Sequence, residues 1–184
     1  MRKNVLCTAI VLISAAVTVY AAHRIYQEHS EYREGVDSYS VLETYIKEPQ
    51  TEPIPEESKP EQDEMSENAI TWPVVDFVAL KSINSDCVAW IRIDGTEIDY
   101  PVVQGHDNSF YLKHLFGGEW NGAGCIFLDS HVEPDLSDRH SVLYGHHMKN
   151  GTMFSDIADY KDQTYYENHA TGMILTPTEN YRIE

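Results

Sequence analysis

The first feature of the hydrophobicity pattern is an uncharged apolar run near the amino terminus. Residues 5–22 carry no charge and follow Arg2 and Lys3. A run of this length reaches the range needed to span a bilayer. A cleaved secretory signal is the alternative, because such signals also combine basic residues, an apolar run and small residues at its end. We favour a retained anchor over residues 1–23, and the basic residues before the run predict a cytoplasmic amino terminus with the rest of the chain outside the cell membrane.

Two further segments separate this run from the remainder of the chain. Residues 24–47 carry apolar and aromatic side chains at spacings of mostly three, four and seven, which predict an amphipathic helix: Ile25, Tyr32, Val36, Tyr39, Leu42, Tyr45 and Ile46. Residues 48–71 hold eight acidic side chains, one basic side chain and four prolines, and such a composition cannot bury apolar surface. The second segment is therefore predicted to be an acidic, proline-rich linker.

Residues 72–184 have the pattern of a folded domain with many short strands. Apolar positions between Val75 and Ile83 predict a short helix that begins near Thr71 and Pro73. Two apolar runs flank Asp94-Gly95, which predicts a β-hairpin. Further short apolar runs predict strands at 124–129, 140–145, 172–176 and 181–184, with a turn and helix at 151–160. The pattern indicates a mainly β fold with flanking helices, either a barrel or a sandwich.

Composition and charge narrow the classes of function. The 184 residues suggest about one domain with appendages. A formal net charge of −17 would repel a phosphate backbone, so nucleic acid is excluded as an expected partner. The three cysteines form no C-x-x-C pair, so neither a disulfide framework nor a thiolate zinc site is indicated.

Two groups of side chains are candidate binding sites. The first could suggest a zinc or calcium site and consists of four histidines and the aspartates near them: His131, His140, His146 and His147 with Asp129, Asp135 and Asp138. Their spacing fits no metal-ligand motif, so we expect a solvated acidic loop at 130–139 and no metal or other cofactor. Five aromatic residues have two interpretations, a peptide groove or the core and its rim, and we favour the second: Tyr100, Phe110, Tyr111, Phe116 and Trp120.

Several separated motifs between Trp72 and Glu184 together resemble class B sortases. They are DFVALKSINSD, then WIRIDGTEIDYPVVQGHDNSFYLKHLFGGEWNGAGCIFLD, then SVLYGHHMKNGTMF, in the order and spacing of the family. The resemblance implies a sortase-type β-barrel in a membrane-anchored cysteine transpeptidase of Gram-positive bacteria. Its expected partners are a sorting-signal peptide of surface proteins, of the Asn-Pro-x-Thr type, and an amine acceptor in the cell wall or a pilin.

The family chemistry requires a cysteine, a histidine and an arginine. A thiolate attacks the peptide carbonyl to form a thioester, an imidazole protonates the departing amine, and a guanidinium stabilises the oxyanion or positions the peptide. His146 matches the catalytic histidine of the family, and the neighbouring His147 does not. The resemblance gives no assignment for residues that bind the substrate.

The chain departs from the family at the other two catalytic positions. In the family the nucleophilic cysteine and the arginine follow the histidine, but no cysteine follows His146 here. Cys125 precedes the histidine inside an apolar run and is predicted to be a buried thiol, while Cys7, Cys87 and Arg182 do not match either position. We therefore expect a truncated barrel without the nucleophile or the arginine, from a fragment or a degenerate gene. Two functions remain, a sortase and a catalytically inactive, membrane-tethered extracellular binding domain.

Overall fold

A computed structural model describes residues 2–48 and 71–184, and its amino-terminal part is one long helix. Helix α1 runs over Arg2–Leu42, and a 3-10 turn, Glu43–Tyr45, follows it. The helix therefore covers the apolar run and most of the amphipathic segment without a break. Among the described residues, this is the one helix that is long and apolar enough to cross a membrane. The predicted linker at 48–71 lies outside the described residues except at its two ends.

Among the α1 residues whose burial the structure describes, only those in the carboxy-terminal third pack on the rest of the protein. Every residue from position 9 to position 30 is exposed, and Glu31 is the first that is partly buried. Tyr39 and Leu42 from the predicted apolar stripe are buried, whereas Ile25 stays 67% exposed. The helical spacing was thus predicted correctly. Burial is limited to residues of the apolar stripe that contact the main domain.

A small sheet and a short helix connect α1 to the main domain. Strand β1, Ile46–Lys47, pairs antiparallel with β2, Val74–Val75. Helix α2 runs over Phe77–Ile83 and begins later than predicted, because Asp76 caps it by accepting a hydrogen bond of 2.9 Å from the Ala79 amide.

The main domain is a curled, mixed six-stranded sheet that forms a half-barrel. Its order is β6-β5-β4-β3-β7-β8, and β4 and β5 are parallel while the other neighbours are antiparallel. The strands are β3 Cys87–Ile93, β4 Asp99–Val103, β5 Ile126–Leu128, β6 Leu143–Tyr144, β7 Gly172–Leu175 and β8 Asn180–Ile183. The mainly β prediction with flanking helices is confirmed.

Strands β3 and β4 form the predicted hairpin. Gly95 in its turn has φ of +75°, a backbone conformation that glycine adopts without steric cost. Trp90 pairs with Pro101 in the ladder and is fully buried. The hairpin thus supplies the centre of the core, which also includes Leu80 from α2 and Phe127 from β5.

The segment after β6 contains two short helical elements. A 3-10 helix occupies Ser155–Lys161, and α3 follows at Gln163–Asn168. The helix predicted at 151–160 is therefore correct in position, although its hydrogen bonding is of the tighter 3-10 type.

Candidate active site

His146 lies just after β6, where its ring is held by a backbone carbonyl from another part of the chain. The side chain is half-buried, and its Nε2 lies 2.7 Å from the carbonyl oxygen of Leu112. A carbonyl oxygen can only accept, so Nε2 donates this bond. The neutral ring then keeps its lone pair on Nδ1, which is free to accept a proton.

Leu112 is positioned by its buried neighbour Tyr111 in the 3-10 turn Phe110–Leu112. The Tyr111 hydroxyl donates to Asp86 Oδ2 at 2.8 Å and accepts from Asn84 Nδ2 at 2.9 Å. The Tyr111 carbonyl accepts from the Cys125 amide at 2.9 Å. Burial raises the pKa of Tyr111 well above its ordinary range, so the phenol stays protonated and this support persists near neutral pH.

A second set of hydrogen bonds fixes the strand that leads into His146. The Tyr144 hydroxyl donates to Asp129 Oδ2 at 2.8 Å, and Asn108 Nδ2 donates to the same oxygen at 2.9 Å. The His131 amide donates to the other carboxylate oxygen of Asp129 at 2.9 Å. The His131 amide, then the Tyr144 hydroxyl, lower the pKa of Asp129 to about 2. Asp129 is therefore an ionised acceptor that ties the end of β5 to β6.

The backbone after His146 is held on the opposite side by Phe154. The Phe154 amide donates to the His146 carbonyl at 2.9 Å. His147, whose side chain is exposed, pairs through its backbone with the buried Met153. Of the two adjacent histidines, only His146 is directed into the packed part of the domain.

Cys125 is a buried thiol, as predicted. It is 1% exposed, and its Sγ lies 3.2 Å from the Tyr39 hydroxyl and 3.3 Å from the His114 carbonyl. Burial raises the pKa of the Cys125 thiol to about 12, against a partial opposing effect of the Tyr39 hydrogen bond. A protonated thiol bonded to these groups cannot act as a nucleophile at neutral pH.

The other candidates from the sequence lie on other secondary-structure elements than His146. Cys87 is fully buried at the start of β3, and burial raises its pKa to about 12. Cys7 is exposed on α1, and Arg182 on β8 forms an ion pair of 2.9 Å with Glu184. In the part of the chain that the structure describes, no hydrogen bond or ion pair joins the His146 side chain to a cysteine or an arginine.

The structure shows how far the two groups of candidate binding residues are exposed. The 130–139 loop is largely exposed, as predicted. Among the residues that the structure describes, no group of three or more His, Cys, Asp or Glu side chains is arranged to hold a metal ion. Tyr100, Tyr111 and Phe116 belong to the core, whereas Phe110 and Trp120 remain on its rim at 45% and 58% exposure.

Two supports of His146 were missed by the sequence reasoning. The Leu112 contact is made by a backbone carbonyl, and no residue type signals such a role. Asp129 was noticed only as a metal-ligand candidate, and its link to Tyr144 depends on the pairing of Phe127 with Tyr144 in the β5–β6 ladder.

Comparison with known proteins identifies the family. The chain is 39% identical over 105 residues to sortase B of Listeria monocytogenes and 34% identical over 131 residues to sortase B of Staphylococcus aureus. Its structure matches that of sortase B from B. anthracis with a TM-score of 0.68 and 31% identity, covering 85% of this chain and 67% of the other. The chain belongs to the class B sortase family. No protein-family model matches it.

The similarity to sortases covers only part of the relatives. The Listeria alignment includes 57% of this chain and 43% of the relative, and the S. aureus alignment includes 71% and 54%. The chain thus spans about half the length of these two curated sortases. A solved complex of S. aureus sortase B with a substrate also matches, at 38% identity and a TM-score of 0.56, over 58% of this chain and 45% of the other.

Proposed function

We propose that this protein is a sortase-type cysteine transpeptidase in which His146 is the catalytic histidine. The observation that carries the proposal is the hydrogen bond from His146 Nε2 to the Leu112 carbonyl at 2.7 Å. It orients the imidazole and, in the neutral ring, places the free lone pair on Nδ1, which can accept a proton from a thiol and later return it to a departing amine. None of the three cysteines of the sequence is a suitable partner, so the 184 residues contribute the histidine and not the nucleophile.

The proposed substrate is a sorting-signal peptide of a surface protein. The support for a peptide substrate is the solved substrate complex of S. aureus sortase B, which this chain resembles. The reaction would break the peptide bond to form a thioester and release an amine. A second amine, in the cell wall or a pilin, would then displace the thiolate.

A peptide-cleavage assay tests this role of His146. The chain is fused to the carboxy-terminal segment of S. aureus sortase B that supplies a cysteine and an arginine, and it is mixed with a fluorogenic Asn-Pro-x-Thr peptide. The fusion should cleave the peptide, and His146→Ala should lower kcat by about 10²–10⁴-fold, the range for a positioned acid or base. His147→Ala is the matched control, because its exposed side chain has no such contact, and it should keep activity. Full activity of His146→Ala would refute the assignment.

We also propose that α1 anchors the protein, with residues 72–184 outside the cell membrane as the catalytic domain. The uncharged run after Arg2 and Lys3 supports this topology. Protease added to intact protoplasts should digest the domain. Digestion only after lysis would contradict the orientation.

A membrane-tethered binding domain without catalysis is the second candidate. Burial raises the pKa of the Cys87 and Cys125 thiols to about 12, so neither is a nucleophile at neutral pH. This favours a binding function for the 184 residues alone. The unfused chain should then bind the sorting-signal peptide, measured by changes in its NMR spectrum, without cleaving it. Cleavage by the unfused chain that is lost in Cys125→Ser would overturn both the binding interpretation and the assignment of Cys125 to the core.

A further inference from the structure

The point at which α1 first meets the domain fixes which end of the domain lies closest to the apolar run. Asn121 Nδ2 donates to the Glu31 carbonyl at 2.9 Å, and Glu31 is the first partly buried residue of the helix. Two turns later, the Tyr39 hydroxyl donates to the Gly124 carbonyl at 2.6 Å. Asn121 is therefore the contact nearer to the apolar run, and Gly124 contacts the helix about two turns farther from that run.

The hairpin turn of β3 and β4 marks the opposite end. Glu43, just beyond α1, lines the same cavity as Glu97 and Asp99. The Glu97 amide in turn donates to Asp156 at 2.8 Å, in the 3-10 helix that packs on α3. Tyr166 on α3 is therefore an exposed aromatic residue at the end of the domain far from the apolar run.

The separation between the apolar run and the domain is short. Glu31 is the ninth residue after Ala22 in one unbroken helix, a rise of about 14 Å. The headgroup layer on each side of a bilayer is about 5–8 Å thick. A gap of only about 6–9 Å therefore remains between the headgroups and the first contact with the domain.

Exposed aromatic side chains lie at this near end. Trp120, next to Asn121, is 58% exposed, and Phe110 is 45% exposed. His114 connects them, because it stacks on Phe110 at 3.9 Å between ring centroids and forms a backbone bridge with Trp120. We call Phe110, His114 and Trp120 the aromatic tip. Tryptophan is enriched at the level of lipid headgroups, where its apolar ring and its N–H group are both accommodated.

We propose that the aromatic tip contacts the headgroup layer of the membrane in which α1 is inserted. This inference rests on the membrane anchoring proposed above. The continuity of α1 supports lipid as the binding partner of the aromatic tip. The same unbroken helix carries the apolar run and holds the tip close to the membrane surface. The net charge of −17 favours uncharged or zwitterionic headgroups over anionic ones. The domain is then held against the membrane in one orientation.

Fluorescence quenching by a headgroup label tests the contact. The full chain with Trp72→Phe is reconstituted into phosphatidylcholine vesicles that contain a lipid with a nitroxide on its headgroup. Trp90, which is fully buried, provides an internal reference. The label should quench part of the emission, and the quenched part should disappear when Trp120→Phe is added.

Tyr166→Trp, made in the variant that lacks Trp72 and Trp120, is the matched control at the far end of the domain. Its emission should not be quenched. Absence of Trp120 quenching in a chain that resists alkaline extraction from the vesicles would overturn the contact and leave the anchoring intact. Equal quenching at positions 120 and 166 would overturn the single orientation, and extraction of the chain by alkali would overturn the anchoring and the contact together.

Discussion

His146 Nε2 donates a hydrogen bond to the carbonyl oxygen of Leu112, 34 residues earlier in the chain, over 2.7 Å. The bond joins the end of β6 to the 3-10 turn that Tyr111 anchors in the core. It sets both the orientation of the imidazole and the nitrogen that bears the proton. The chemical state of the proposed catalytic group is thus decided by a backbone group in a separate segment.

The first prediction concerns this tautomer. In the neutral ring of His146 the proton should reside on Nε2, because the Leu112 carbonyl has no proton to donate. Long-range ¹H–¹⁵N NMR correlations of the histidine rings should show the Nε2–H pattern for His146. The spectrum of His146→Ala assigns the signals, and an Nδ1–H pattern would contradict the geometry.

The second prediction concerns the reactivity of the buried thiols. Burial raises the pKa of Cys87 and Cys125 from 9.0 to about 12, so neither forms a thiolate at pH 8. In the folded Cys7→Ser variant, iodoacetamide should modify neither residue, whereas both should react in urea. Peptide mass mapping measures the modification, and rapid labelling of Cys125 in the folded protein would show that it is not a core residue.

The same two thiols predict a loss of stability at high pH. The unfolded chain loses these protons near pH 9, while the folded chain keeps them until about pH 12. The free energy of unfolding should therefore decrease as the pH rises from about 9 to 12. Cys87→Ala and Cys125→Ala together should make this decrease smaller in urea titrations at each pH.

The third prediction concerns the contact between α1 and the domain. Tyr39→Phe removes the donor to the buried Gly124 carbonyl, so it should lower the free energy of unfolding by about 1–3 kcal/mol. Tyr26→Phe is the matched control on the same helix, since Tyr26 is 72% exposed, and it should have almost no effect. Urea unfolding of the full chain in detergent, followed by tryptophan fluorescence, measures both variants. Equal stability of the two would show that the hydroxyl contributes nothing to docking.

The fourth prediction compares two glycines with positive φ. Gly124 has φ of +60°, and a Cβ there would overlap the Tyr111 carbonyl; Gly118 has φ of +95° and open space around it. Gly118→Ala should cost about 1 kcal/mol through backbone strain alone. Gly124→Ala should cost about 1–3 kcal/mol more because the backbone must move. Gly124→Ala should also shift the His146 ring signals in NMR spectra, because Tyr111 directly precedes Leu112, whose carbonyl bonds the ring. Equal effects of the two substitutions on these signals would refute the connection between Gly124 and His146.

The elements that could be predicted from the amino-acid sequence are those whose signals are local. The uncharged run at 5–22 predicted an apolar helix, and Asp94-Gly95 between two apolar runs predicted the β3–β4 hairpin. These succeed because the side-chain period and the turn chemistry act over a few residues. The separated motifs between Trp72 and Glu184 together indicated the family, and Tyr144-Gly145-His146 among them indicated the candidate histidine.

The contacts between these elements depend on the tertiary structure. The parallel pairing of β4 with β5, the docking of Tyr39 on Gly124 and the Leu112 carbonyl beside His146 join residues that are far apart in the chain. Backbone groups carry several of these contacts, and every residue type presents the same carbonyl, so no pattern of side chains could have indicated them. The sequence therefore indicated the candidate histidine, whereas the packing of separate segments sets the orientation of its ring and the nitrogen that carries its proton in the neutral form.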